Sequence, residues 1–391
     1  MSALTSPLPA TPGPLPTAPG RPAALARDLR WLLRLHRPTL YVWAALVVVL
    51  AAALLWLAGP LTDASADAWR DYDACRDGGR CSYYQDAILR YKDVYSYTTL
   101  ALTALPFLVA AWSGAALIGR ELESGTAHLA WTQGVSPARW LAVKLAAPAV
   151  LVAAGTGLLV RLHHRAWSAA NGRVDTAKSW YDGLTLHTNG PTTVGLALAG
   201  LAVGALAGLL WRRALPALVT GLVATAAVRV FADRLMPHLW AADTVVTPLS
   251  RGPGGVGITV DEGIVTSTGA HAPLPHCPPE DAVHGCTATY AKADAVGFFH
   301  SYHPAAHYWP LQLTTTAVLL ALVAVLTVIA FRLLGRSTGG AARDRRTTGA
   351  GKGRQDCRTG AARDRRTTGA GKGRQDRRTG AAQGRRTGVA G

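Results

Sequence analysis

Residues 119–144 read GRELESGTAHLAWTQGVSPARWLAVK, a polar stretch between two long apolar runs, Tyr97–Ile118 and Leu141–Val160. Arg120, Glu121 and Glu123 fall within four positions, and Gly125 and Thr126 follow. Charges this dense do not rest in hydrocarbon. If the flanking runs cross a membrane, the stretch is a loop on one side of it. Glu121 and Glu123 close to a helix start suit the positive end of the helix dipole. Gly125 permits a tight turn or the close approach of a partner, and Thr126 can cap a following turn. Arg139, Trp140 and Lys144 then bring the chain back to the headgroup layer, where aromatic and basic side chains anchor well. The other reading is an ordinary solvated loop between two spans.

The neighbours are apolar throughout the chain. Runs at 39–58, 97–118, 141–160, 193–211, 214–231 and 311–334 have the length, about 18–24 residues, that a helix needs to cross a core of roughly 30 Å. Backbone groups in lipid pair within their own segment, so these runs are helices and not open strands. The fold class expected is therefore all-α, a polytopic membrane protein with about six transmembrane helices. The first run follows a polar arm of 38 residues and is too long for the apolar region of a signal peptide.

Charge gives the orientation. The chain carries +17, of which the tail from Gly335 holds +12, sixteen Lys and Arg against four Asp. With only +5 left for the rest, composition implies no specific nucleic-acid partner. Arg21, Arg27, Arg30, Arg34 and Arg37 precede the first run, Arg212-Arg213 link the fourth and fifth, and Arg332 and Arg336 end the sixth. Basic residues beside spans stay in the cytoplasm, so both termini are expected there. The segment 161–191, with Arg161, Arg165, Arg173 and Lys178 on the outer side of this scheme, argues against it.

Cys75 and Cys81 fall in the first outer connection, and Cys277 and Cys286 in the last. An oxidising exterior allows each close pair to be a disulfide, or all four to remain thiols. The segment 232–308 also holds His271, His276, His284, His300, His303 and His307. Their spacing matches no standard zinc pattern, and Pro304 interrupts the helical register of the last three, so no metal site is expected. No nucleophile elbow, zinc-protease motif or carboxylate pair marks an enzyme.

Three parts of the chain differ in kind. Residues 1–24 are a Pro- and Ala-rich arm expected to be disordered, and 25–335 form the six-helix domain. Arg27, Arg30, Arg34 and Arg37 at helical spacing open that domain as an interfacial helix against membrane lipids. Residues 336–391 form a basic tail in which Ala341–Gly360 recurs almost unchanged as Ala361–Gly380. Lacking apolar anchors, it builds no core and is expected to be disordered. It reads as a repeat expansion, or as a ligand for anionic headgroups or nucleic acid. Its GAGKGR lacks the first Gly of a phosphate loop and has Gly353 where a hydroxyl belongs, so no ATP site or other cofactor is expected in this chain.

Within the spans, Gly200, Gly204 and Gly208 recur every four residues, a stripe for close helix packing that is either static or a sliding surface. Arg229 near the outer end of the fifth run is expected to snorkel to the headgroups, and no other charge lies deep.

Arg120, Glu121, Glu123, Gly125 and Thr126, then Trp131-Thr132-Gln133, Val135-Ser136, Arg139, Trp140 and Lys144, resemble the cytoplasmic loop of ABC-2 type transporter permeases. The order of six spans is similar too, with a very short link after the fourth and a large outer segment before the sixth. The chain resembles the subgroup of that family common in high-GC bacteria, which implies a bacterial cell membrane; Arg outnumbering Lys 34 to 6 fits such codon usage. The resemblance covers about residues 25–335. Pro137 stands where many relatives carry a basic residue, and the first outer connection is longer than usual. The resemblance implies a permease subunit of an exporter, working as a homodimer or with a sister permease, and contacting a separate ABC ATPase through Arg120, Glu121, Glu123, Gly125, Thr126 and Arg139. ATP and Mg would then belong to that ATPase. A membrane sensor or scaffold with a large outer loop is the other reading; a neighbouring histidine kinase gene would favour it, a neighbouring ATPase gene the exporter.

Overall fold

Each of the six apolar runs folds as a helix, and every helix outruns its apolar core. The computed structural model describes residues 37–75, 82–282 and 285–352, with side chains described as far as Arg336. Within it the spans are Arg37–Cys75, Gln85–Glu123, Pro137–Ala170, Thr192–Trp211, Ala214–His238 and Ala305–Arg336, all long and apolar enough to cross a membrane. The excess at their ends is polar: 62–75 reads TDASADAWRDYDAC, amphipathic rather than apolar, and continues the first helix through a widened π turn at Leu57–Leu61 that contains Pro60. A proline inside a helix removes one hydrogen bond, and a local change of winding accommodates it.

The interfacial helix and arm expected before Arg37, together with Cys81, His284 and Cys357, lie outside the described residues. The chain divides at Thr338 and Gly339. The last helix continues as backbone to Lys352. Its one proline, Pro310, lies in the first turn, where a helix tolerates it.

The fourth span is the most enclosed of the six, while the first, fifth and sixth leave most of their surface open. Its glycine stripe faces the second span. A methyl group on Gly200 would stand 2.3 Å from the Pro106 carbonyl, on Gly204 2.2 Å from the Ala110 carbonyl, and on Gly208 2.8 Å from Ile118 Cβ. Backbones approach this closely only where side chains are absent. Leu117, Ile118, Leu141, Ala197, Leu201 and Leu209 pack around that contact.

Between the fifth and sixth spans the chain builds a four-stranded antiparallel sheet, ordered β1 (Asp243–Pro248), β4 (Ala295–His303), β2 (Ile258–Thr266), β3 (His271–Pro273). The helical expectation describes the membrane bundle; it does not anticipate this sheet, whose two longer strands each contain a Gly, Gly263 in β2 and Gly297 in β4. Ile264 on β2 and Phe298 and Phe299 on β4 are its buried apolar residues, with Tyr290 edge-on to Phe298 and His271 stacked on Phe299. A bond between Cys277 and Cys286 closes the segment joining β3 to β4, with Cα atoms 5.7 Å apart. Cys75 is also disulfide-bonded, in a stretch whose following residues are outside those described.

Candidate functional site

The 119–136 loop is the structured turn between the second and third spans. The second span widens into a π turn at Ser113–Gly119 and ends in one α turn, Arg120–Glu123. Gly119 lies close against the start of the fifth span: a methyl group there would stand 3.2 Å from Ala214 Cα. At Gly125 the chain reverses with φ +74°, a backbone region L residues seldom enter. A short helix, Thr126–Thr132, follows, then Gly134 at φ +89°. Ser136 caps the third span by accepting from Arg139 N at 3.3 Å, with Pro137 at the first helical position.

Two carboxylates tie the loop to the bundle. Glu121 Oε1 lies 2.5 Å from Lys144 Nζ, which also donates to the Leu117 carbonyl at 3.2 Å. Lys144 is 1% exposed, so it is a buried cation within the bundle and not the headgroup anchor expected from sequence. Its ammonium sits 5.4 Å from the centre of the Trp140 ring, which Trp131 meets edge-on at 5.8 Å. Glu123 Oε2 accepts from Ala214 N at 2.9 Å. It does serve a helix start, but that of the fifth span and not of the helix that follows it in sequence. Thr126 likewise works otherwise than as a cap. Gly125 is the N-cap residue and makes no side-chain bond, while the Thr126 hydroxyl reaches back to the Glu121 carbonyl at 3.3 Å. Arg120 is exposed and Arg139 half-buried.

Fixed in this way, the short helix divides into two sides. Ala127 is buried, and Ala130 and Trp131 pack into the core. Leu129 is 62% exposed, and His128, Thr132 and Gln133 are exposed beside it. A recess of about 580 Å³ opens between this helix and the adjoining ends of the fourth and sixth spans, lined by His128, Trp131, Leu209, Arg212, Leu333 and Arg336. An exposed leucine on a helix whose other side is locked in place, next to a recess with two arginines, is a surface fit to receive another protein.

Sequence reading missed a second polar region at the opposite end of the bundle. A cavity of about 650 Å³ is lined by Tyr95, Asp182, His187, Arg229, Asp233 and Met236, among others. Arg229 does not snorkel to headgroups as expected. It pairs with Asp233 one turn along its own helix, and His187 Nε2 reaches the same carboxylate at 2.6 Å. A partnered charge costs less to bury than a lone one. Burial, seconded by Arg229, pushes His187 down to about 3, so the ring is neutral at pH 7. Deeper in, His163 bridges Thr99 at 2.9 Å and Asn189 at 2.5 Å. Singly spaced residues on four different segments make these groups, and only their residue types hinted at them.

Residues 44–236, about half of the chain, match the model of the ABC-2 membrane transporter related family. No curated protein and no solved structure matches the chain. The matched residues run from the first span through the fifth and contain the whole 119–136 loop. With that match joined to six membrane-crossing helices, the chain belongs to the ABC-2 membrane transporter related family and is an ABC-2 type permease.

Proposed function

We propose that the chain is the membrane subunit of an ATP-driven exporter, and that the short helix Thr126–Thr132 is where a separate ATPase binds. The observation that carries the reading is the pairing of exposed Leu129 with rigid attachment behind it. The Glu121–Lys144 pair joins the turn Arg120–Glu123, which immediately precedes the helix, to the third span, and the Glu123 bond to Ala214 N joins that turn to the fifth. A push on such a helix is delivered to two spans at once, because neither tie yields without exposing a charge or an unpaired backbone group.

In this reading the 119–136 loop and both termini are cytoplasmic, and the sheet is external. ATP and Mg act on the partner, with no reaction in this chain. Two permeases, identical or sister chains, enclose the path in a bacterial cell membrane. ATP binding and hydrolysis shift the pair between inward- and outward-open packings through differential affinity for the two. Affinity purification of the full chain from its native membranes tests this. It should recover an ATPase in stoichiometric amount, with ATP hydrolysis that depends on the permease; recovery of the chain without any ATPase would contradict the reading.

A further inference from the structure

The cavity of about 650 Å³ at the end of the bundle away from the 119–136 loop takes no part in the proposed docking. Its volume falls within the range of small-molecule sites, about 300–1,000 Å³. Three parts of the chain converge on it: the second span, the short helix Gly183–Thr188 and the end of the fifth span. Ile258, at the start of β2, lies beside them.

Most of its polar groups answer one another. The Tyr95 and Thr185 hydroxyls meet at 3.0 Å, and Thr99 meets His163 at 2.9 Å. Asp182 accepts from Thr185 N at 3.1 Å and faces Lys178 at 4.0 Å. Arg229 pairs with Asp233. Two cations thus stand against two carboxylates. His187 is answered on one side only. Its Nε2 lies 2.6 Å from the Asp233 carboxylate, which accepts, so that nitrogen carries the hydrogen. Burial keeps the ring neutral. Nδ1 is then a lone pair, and it has no hydrogen-bond partner among the described residues.

The Arg229–Asp233 pair is lopsided as well. The Asp233 side chain is 40% exposed and that of Arg229 13%, so the carboxylate is the charge presented to open space. An anion here would face two carboxylates and an accepting nitrogen, and like charges brought together are costly. A cation with N–H groups finds partners in the same three. Leu184 and Ile258 supply apolar wall beside them.

We propose that this cavity binds an organic amine in its cationic form, with the ammonium toward Asp233 and His187 and the apolar body against Leu184 and Ile258. That such an amine is the cargo rests on the exporter function proposed above; the binding itself does not.

The test uses the full chain in an uncharged detergent at pH 7 and equilibrium dialysis with radiolabelled tryptamine, a cation at that pH. Indole-3-propionate and N-acetyltryptamine carry the same ring as an anion and as a neutral amide. Tryptamine should bind saturably, at one equivalent per chain and at least tenfold more tightly than either. Ser96→Trp, at an exposed position of the lining, should fill the cavity and weaken tryptamine binding at least tenfold, with elution and thermal melting as in the parent. Asp233→Asn should turn the preference toward the anion, which a general loss of folding would not do. Three results would each overturn the proposal: no saturable binding below millimolar tryptamine, equal binding of tryptamine and indole-3-propionate, or tryptamine binding as tight in Ser96→Trp as in the parent. No ATPase enters these measurements, so failure here leaves the docking reading standing, and failure to recover an ATPase leaves the amine site standing.

Discussion

Lys144 of the third span meets Glu121 at the end of the second, 23 positions away, with the ammonium buried and its nitrogen 2.5 Å from the carboxylate. Removal of one partner strands the other, and a stranded buried charge destabilises by about 3–5 kcal/mol. Glu121→Gln should therefore lower the melting temperature in detergent and reduce membrane levels. From sequence the same change is expected to be mild, about 0.3–1 kcal/mol for a charge near an exposed helix start. Glu121→Gln with Lys144→Met should recover most of the loss, because no lone charge remains. A single variant that melts with the parent would show that the pair carries no such burden.

Gly204 admits no side chain. A methyl group there would meet Ser113 Oγ at 2.1 Å and the Ala110 carbonyl at 2.2 Å. Gly204→Leu should prevent the second and fourth spans from docking, measured as loss of monodisperse protein on extraction. Gly157→Leu, where nothing lies within 4 Å, should extract normally. Equal extraction of both variants would contradict the packing.

His187 predicts a pH dependence. Its folded value is depressed to about 3 by burial and by Arg229, against about 6.5 in the unfolded chain. Between these values the unfolded state binds more protons. Stability is thus fully present above pH 6.5 and is lost as pH falls toward 3, by at most about 1.4 kcal/mol per pH unit. Melting followed from pH 7 to pH 4 should fall more steeply in the parent than in His187→Gln. Parallel curves would remove His187 from the account.

The sequence made the spans legible because lipid imposes one solution on any long apolar run. The 119–136 loop was legible for a related reason: Arg120, Glu121 and Glu123 together can sit only outside hydrocarbon. What those residues touch was hidden. Glu121 finds Lys144, and Glu123 finds Ala214 N, 91 positions on; no local periodicity encodes contacts of that range. Lys144 followed by an apolar run looks the same whether it anchors at headgroups or lies buried against a carboxylate. The sheet escaped for another reason. Its strands alternate weakly, and β3 has only three residues, too few for a period of two to register.

Orientation is tested by reporter fusions placed after Gly78, Ser136, Gly255 and Gly340. The proposed topology has the 119–136 loop and both termini cytoplasmic, so the reporters should read outside, inside, outside and inside. An outside reading at Ser136 would put the loop on the wrong face for an ATPase.

The account rests most directly on what Leu129 touches. A photo-crosslinking residue at position 129, 62% exposed on the short helix, should form an adduct with the ATPase in native membranes. The same residue at Val246, exposed on β1, should form none. An adduct at 129 that appears on irradiation and is identified as an ATPase by mass spectrometry is the predicted result. Membranes in which the ATPase is bound but position 129 gives no adduct would contradict the claim that this helix is its docking surface.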